Sequence, residues 1–160
     1  TLACGRLGPL TGSTPVSLVA AVSESLDMLF EEGLSNVYRR HAILAQAIQS
    51  SVQAMGLTLL PEGSANRSHT VTLVKAPDGV KPALIREMAR EKYGIMIASG
   101  LGDLKESAIR IGHLGIISTR EALLVIAALE LIFFELGVIE KPGSGLAAFH
   151  AAMRKFEQVN

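Results

Sequence analysis

Apolar residues recur along this chain with two periods, and the switches between them mark its elements. A period near 3.6 signals a helix and a period of two a strand. Thr14 and Pro15 read as a helix start, with a hydroxyl cap before a residue of pre-set φ. Val19, Val22, Leu26 and Leu29 then form one stripe and Glu24, Asp27 and Glu31 another. Val16, Leu18, Ala20 and Ala21 widen the apolar surface, so the first turns are expected to be buried on more than one side. Gly33 stops this helix and Ser35 caps a second, with Val37, Leu44, Ile48, Val52 and Met55 inward and Gly56 as its end. Arg39, Arg40 and His41 on it read as a solvated face.

Residues 57–60 predict a short strand ended by Pro61, followed by a polar loop over 62–69. Residues 70–76 alternate as a strand, closed by the Pro77-Asp78-Gly79 turn. Pro82 opens a helix with Leu84, Ile85, Met88 and Ala89 inward, stopped by Gly94. Ile95, Met96, Ile97 and Ala98 predict a buried strand that runs into a glycine-containing loop and returns as a second strand. Ser118-Thr119-Arg120-Glu121 is a capping box. The helix it starts carries Leu123, Leu124, Ala127, Leu131 and Phe134 and ends at Gly137. Lys141 to Gly145 reads as a hinge, and Leu146, Phe149, Met153 and Phe156 as a final amphipathic helix.

Grouped strands with helices at both ends indicate an α+β fold: a small, largely antiparallel sheet with helices on one face. The expected division is a lead-in segment over 1–14, the domain proper over 15–137, a hinge over 138–145 and a C-terminal helix over 146–160. In the strand after the glycine loop, Ile109, Ile111 and His113 point one way, and Ala108, Arg110, Gly112 and Leu114 the other. If the isoleucines meet the core, Arg110 projects from the uncovered face between small neighbours. Its planar fork suits a carboxylate or phosphate. On these residues alone, a solvated arginine on the open face is the slightly favoured reading.

Composition changes the picture in one respect. The chain has 160 residues, enough for one domain, and 49% are apolar with a mean hydropathy of +0.37, which is high for a soluble monomer and points to an interface. Fifteen basic residues balance fifteen acidic ones, so no electrostatic case arises for nucleic acid. No apolar run is long enough for a membrane span; the stretch from Leu123 to Phe134 is interrupted by Glu130. Cys4 alone gives neither a disulfide framework nor a thiolate cluster. His41, His69, His113 and His150 lack ligand spacing, so no metal is expected, and His113 reads as a core histidine. The chain begins at a threonine without a signal peptide, and is expected to be a piece of something longer or a processed chain.

Gly100-Leu101-Gly102 has the start of a dinucleotide fingerprint, but Lys105 replaces the third glycine and a strand follows, so that reading fails. Gly143-Ser144-Gly145 before a helix could cradle a phosphate; a hinge is favoured. No Ser/His/Asp set can be assembled, and no catalytic residue is assigned.

The succession STPVSLVAAVSESLDMLFEEGLSNVYRRH, SHTVTLVKAPDGV and YGIMIASGLGDLKESAIRIGHLG resembles the C-terminal part of class V aminotransferases, within the alanine–glyoxylate and serine–pyruvate group of pyridoxal-phosphate enzymes. The resemblance covers roughly residues 10–137. It implies a small domain partnered by its own large domain, which binds most of the pyridoxal 5'-phosphate, in a cytoplasmic homodimer acting on a small amino acid and a 2-oxo acid. It places the substrate-carboxylate arginine of the R-I-G motif at Arg110. It places a cofactor-phosphate hydroxyl at Ser13, with Thr14 beside it; the tyrosine that some members carry three residues earlier falls on Leu10. Gly100 and Gly102 fall on the active-site loop, where Ser99 is often glycine in relatives. None of Lys75, Lys81, Lys92, Lys105, Lys141 or Lys155 stands in the setting of the lysine that anchors the cofactor, so the chain alone is expected to be inactive. Two other readings remain: a non-catalytic module binding a small carboxylate through Arg110, and an assembly subunit of the same fold. Some relatives carry a soluble-hydrogenase label, for which one cysteine offers no chemical support.

Overall fold

The computed structural model describes residues 15–157; Ser13, Thr14 and Leu10 therefore lie outside the described residues. Two compact units divide the chain, residues 1–37 and 38–160. In the first, α1 (Val16–Glu32) starts after Pro15, whose carbonyl accepts the N–H groups of Leu18 and Val19. Gly33 ends it at φ 84°, where a side chain would be strained. The expected burial of its first turns is not found. No residue of α1 is buried, and Val16 and Leu18 are 73% and 64% exposed.

Helix α2 (Leu34–Ala54) runs across the boundary into the second unit. There follow β1 (Leu59–Leu60), β2 (Val71–Lys75), α3 (Pro82–Tyr93), β3 (Ala98–Ser99), β4 (Ala108–Gly112), α4 (Thr119–Glu135) and α5 (Ser144–Glu157). The strands form one sheet in the order β1-β2-β4-β3, every neighbouring pair antiparallel. This is the α+β architecture that the grouping of periods predicts.

Alternation assigns the faces. Leu59, Thr72, Val74, Ile109 and Ile111 are buried, as is His113 just beyond β4. They face a core shared with Leu44, Ile48 and Val52 of α2, Ile85 of α3, Ile126, Leu129, Ile132 and Phe133 of α4, and Phe149 of α5. Leu60, Val71, Leu73 and Arg110 on the other face are half-buried, and Lys75, Ala98 and Gly112 are exposed.

Three local expectations are corrected. The stretch over 95–98 is an edge: Met96 is 79% exposed, Ala98 is exposed, and only Ala98 and Ser99 pair. A continuous apolar run does not distinguish a central strand from a sheet edge. Leu84 is 41% exposed, because Ile85 and Ala89 suffice to seat α3. On α2, Arg39 is exposed but Arg40 is half-buried and His41 is 8% exposed, so the basic cluster is not a uniformly solvated face.

The helix ends follow local chemistry. Ser118 and Glu121 make both halves of the capping box: the Ser118 hydroxyl accepts from the Arg120 N–H at 3.2 Å, and Glu121 accepts from the Ser118 N–H at 2.9 Å. The Ser118 hydroxyl, which also donates to the Glu121 carboxylate, and after it the Ser118 N–H hold the Glu121 carboxyl below its ordinary pKa. Gly94 closes α3 in the left-handed region at φ 65°. Among the described residues, no helix is long and apolar enough to cross a membrane.

The expected hinge has a fixed end. Ser144 and Gly145 belong to α5, and Glu130 of α4 points its carboxylate at them. Its Oε1 accepts the N–H groups of Gly143 at 3.0 Å and Gly145 at 2.6 Å, with Glu130 itself 1% exposed. The glycine stretch does cradle an anion at a helix N-terminus, and the anion is the chain's own carboxylate.

Candidate functional site

Arg110 occupies the middle of β4, with Leu73 of β2 on one side and Ala98 of β3 on the other. Its neighbours along the strand face are Ala108 and Gly112, so nothing bulky flanks it within β4 itself. No hydrogen bond or ion pair engages its side chain among the described residues. A half-buried guanidinium on an apolar surface, with its five donors uncommitted, is suited to an anionic ligand with two acceptor oxygens.

The loop that enters β4 is built on the two glycines singled out in the sequence. Gly100 donates to the Ala108 carbonyl at 2.9 Å, and a Cβ on it would stand 2.2 Å from the Leu104 carbonyl oxygen. Any other residue there would push the backbone apart. Gly102 holds φ 55° and starts a short 3-10 turn over Gly102–Leu104. The loop closes with Ala76 donating to the Ser107 carbonyl at 2.8 Å, which binds the start of β4 to the end of β2.

At the opposite end of β4 lie residues that sequence reasoning missed. Arg40 Nη1 donates to the carbonyls of Gly115 at 2.9 Å and Ile117 at 3.3 Å, fixing the turn between β4 and the capping box. The Thr72 hydroxyl and His113 Nε2 are 2.8 Å apart, both buried, and so tie β2 to β4 beneath the sheet. Nδ1 of His113 has no well-formed hydrogen bond among the described residues. Burial pushes the His113 pKa down to about 4, outweighing the carbonyls of His113 and His69 that favour its charged form. The ring is therefore neutral at pH 7. A buried histidine was legible from alternation; its threonine partner, across 41 positions of sequence, was not.

All six lysines are exposed. Lys92 is engaged by Glu135, whose hydrogen bond raises its pKa. A covalent anchor for a carbonyl cofactor needs an enclosed, deprotonated amine. None of the described lysines is enclosed. Among the described residues, no cluster of histidine, cysteine and acidic side chains is arranged to hold a metal ion.

No family model matches the sequence. Individual relatives do. A serine–glyoxylate aminotransferase from Methylorubrum extorquens is 38% identical over 141 residues, spanning 88% of this chain and 35% of that protein. A soluble hydrogenase small subunit from Synechococcus sp. is 38% identical over 135 residues, 84% of this chain and 35% of that one. Among solved structures, pyridoxamine–pyruvate aminotransferase from Mesorhizobium loti superposes with a TM-score of 0.85 at 31% identity, covering 94% of this chain and 38% of that chain. The chain thus spans about a third of the length of these relatives. Fold and sequence together place it with the C-terminal part of class V aminotransferases of the serine–glyoxylate and alanine–glyoxylate group. The family expected from the three quoted stretches is the one found.

Proposed function

We propose that this chain is the substrate-reading small domain of a pyridoxal-phosphate aminotransferase, in which Arg110 binds the α-carboxylate of a small amino acid or 2-oxo acid. The observation that carries the reading is Arg110 itself, half-buried and unpaired among the described residues on the sheet face opposite the core. The aminotransferase names of the relatives, of which this chain matches only about a third of the length, support a large domain as its partner. Homodimerisation, a cytoplasmic setting and the division at 137 and 145 belong to the same proposal. So do contacts from Ser13 and Thr14 to the cofactor phosphate.

Pyridoxal phosphate, held mainly by the large domain, supplies the electron sink for amino-group transfer. The contribution of this chain is orientation. Two parallel N–H···O bonds from the Arg110 fork fix the carboxylate, and with it the rotation of the substrate's Cα. Gly100 and Gly102 let the loop pass close to that carboxylate without side chains in the way.

The test is made in the full-length enzyme. Charged hydrogen bonds contribute roughly 1.5–3 kcal/mol each. Arg110→Ala should lower kcat/KM for amino acids by about two orders of magnitude or more, and Arg110→Lys, which keeps charge but not fork, by less. Reaction with an amine that lacks a carboxylate should hardly change. Equal losses for amine and amino acid, with the fold intact, would defeat the reading. The 160-residue chain alone should show no stoichiometric visible band with pyridoxal phosphate that depends on one particular lysine.

The hydrogenase name borne by some relatives suggests a second role, as a subunit in an assembly. Nothing on the open face favours it over carboxylate binding.

A further inference from the structure

Lys75 and Arg110 are the charged residues of the four strands, and both stand on the face opposite the core. Leu73 pairs with Arg110 and Lys75 with Ala108, so Lys75 is the diagonal neighbour of Arg110 across the β2–β4 ladder. Diagonal positions lie about 7–8 Å apart, within reach of long side chains. Within the ladder, Ala108 and Leu73 complete the square with the two cations, and neither carries charge. Lys75 is exposed and, like Arg110, has no ion pair among the described residues. The rest of this strand face is uncharged: Leu60, Val71, Leu73, Ala98, Ala108 and Gly112.

Two like charges at diagonal positions of an otherwise uncharged strand face attract acidic ligands. A monocarboxylate neutralises one. A ligand with two acid groups a short chain apart neutralises both.

We infer that Lys75 is a specificity-determining residue, holding the distal acid group of a dicarboxylic amino donor or 2-oxo diacid whose α-carboxylate is on Arg110. This rests on the role of Arg110 proposed above. The ammonium suits the task, because a compact charge on a flexible stem follows side chains of different length, while the rigid fork fixes the shared end.

The experiment compares aspartate and alanine as donors in the full-length enzyme, with Lys75→Met, Lys75→Arg and Arg110→Ala. Lys75→Met should lower kcat/KM for aspartate about tenfold or more, mainly through KM, and leave alanine unchanged. Lys75→Arg should keep part of the aspartate activity. Equal effects on both donors, or a wild type that does not turn over aspartate or glutamate, would overturn the inference. Loss of neither donor in Arg110→Ala would instead overturn the carboxylate reading on which it rests. A second readout needs no cofactor. Succinate titrated into the chain should shift amide resonances of both β2 and β4, and Lys75→Met should abolish the β2 shifts. Shifts no larger than those from acetate would count against the site.

Discussion

His113 is the titratable residue most deeply placed beneath the arginine strand, and its ring nitrogens differ. Nε2 meets the Thr72 hydroxyl, and Nδ1 makes no well-formed hydrogen bond among the described residues. With a folded pKa of about 4 against an ordinary 6.5, the native state binds the proton less readily than the unfolded chain. Its contribution is therefore fully present above about pH 6.5 and is lost as pH falls through about 4, a swing of roughly 3 kcal/mol. Glu121, depressed by its bonds to Ser118, acts in the same direction at lower pH. Urea midpoints should fall between pH 6.5 and 4, and His113→Gln, which does not take up a proton, should flatten that fall. An unchanged pH slope in the variant would place the titration elsewhere. At this scale, residues whose role is set by alternation were legible: Arg110 outward, Ile109, Ile111 and His113 inward. Arg40 was not, since only folding brings residue 40 to the carbonyls of 115 and 117.

Among the elements, α5 shows how a local signal is completed from a distance. Sequence showed Glu130 only as an interruption of an apolar run, and Gly143 to Gly145 as a hinge. In the fold, the two features are one bond set, a buried carboxylate closing the N-terminus of the helix. Removing it leaves two buried or half-buried donors without an acceptor, so Glu130→Ala should destabilise the chain by roughly 1–3 kcal/mol or more. Gly145→Ala should also destabilise, because its Cβ would lie 3.2 Å from both Glu130 Oε1 and Met55 Cγ. Denaturant unfolding checks both, and Ser144→Ala serves as the neighbouring control. By contrast, the capping box of α4 was fully legible, because its partners lie three residues apart. The strand expected over 95–98 shrank to two residues because burial on both faces depends on neighbours that composition does not name.

For the molecule as a whole, the surplus hydropathy has a location. Val16, Leu18, Val19, Val22, Leu26 and Phe30 of α1 are all more than 40% exposed. At concentrations on the order of tens of micromolar, such a surface drives association. Sedimentation should show the chain above monomer mass, and the double variant Leu18→Lys, Val22→Lys should return it toward monomer. A wild type that stays monomeric would mean that α1 is not adhesive.

The form of that association follows from the outer strands. β1 and β3 bound the sheet with two paired residues each, and Pro61 follows β1 directly. A partner chain finds almost no ladder there to extend. Adhesion through a helix, with both borders of the sheet too short to template growth, yields oligomers and not fibrils. Thioflavin dye should stay dark in concentrated samples, preformed assemblies should fail to seed fresh protein, and dilution should recover the single chain.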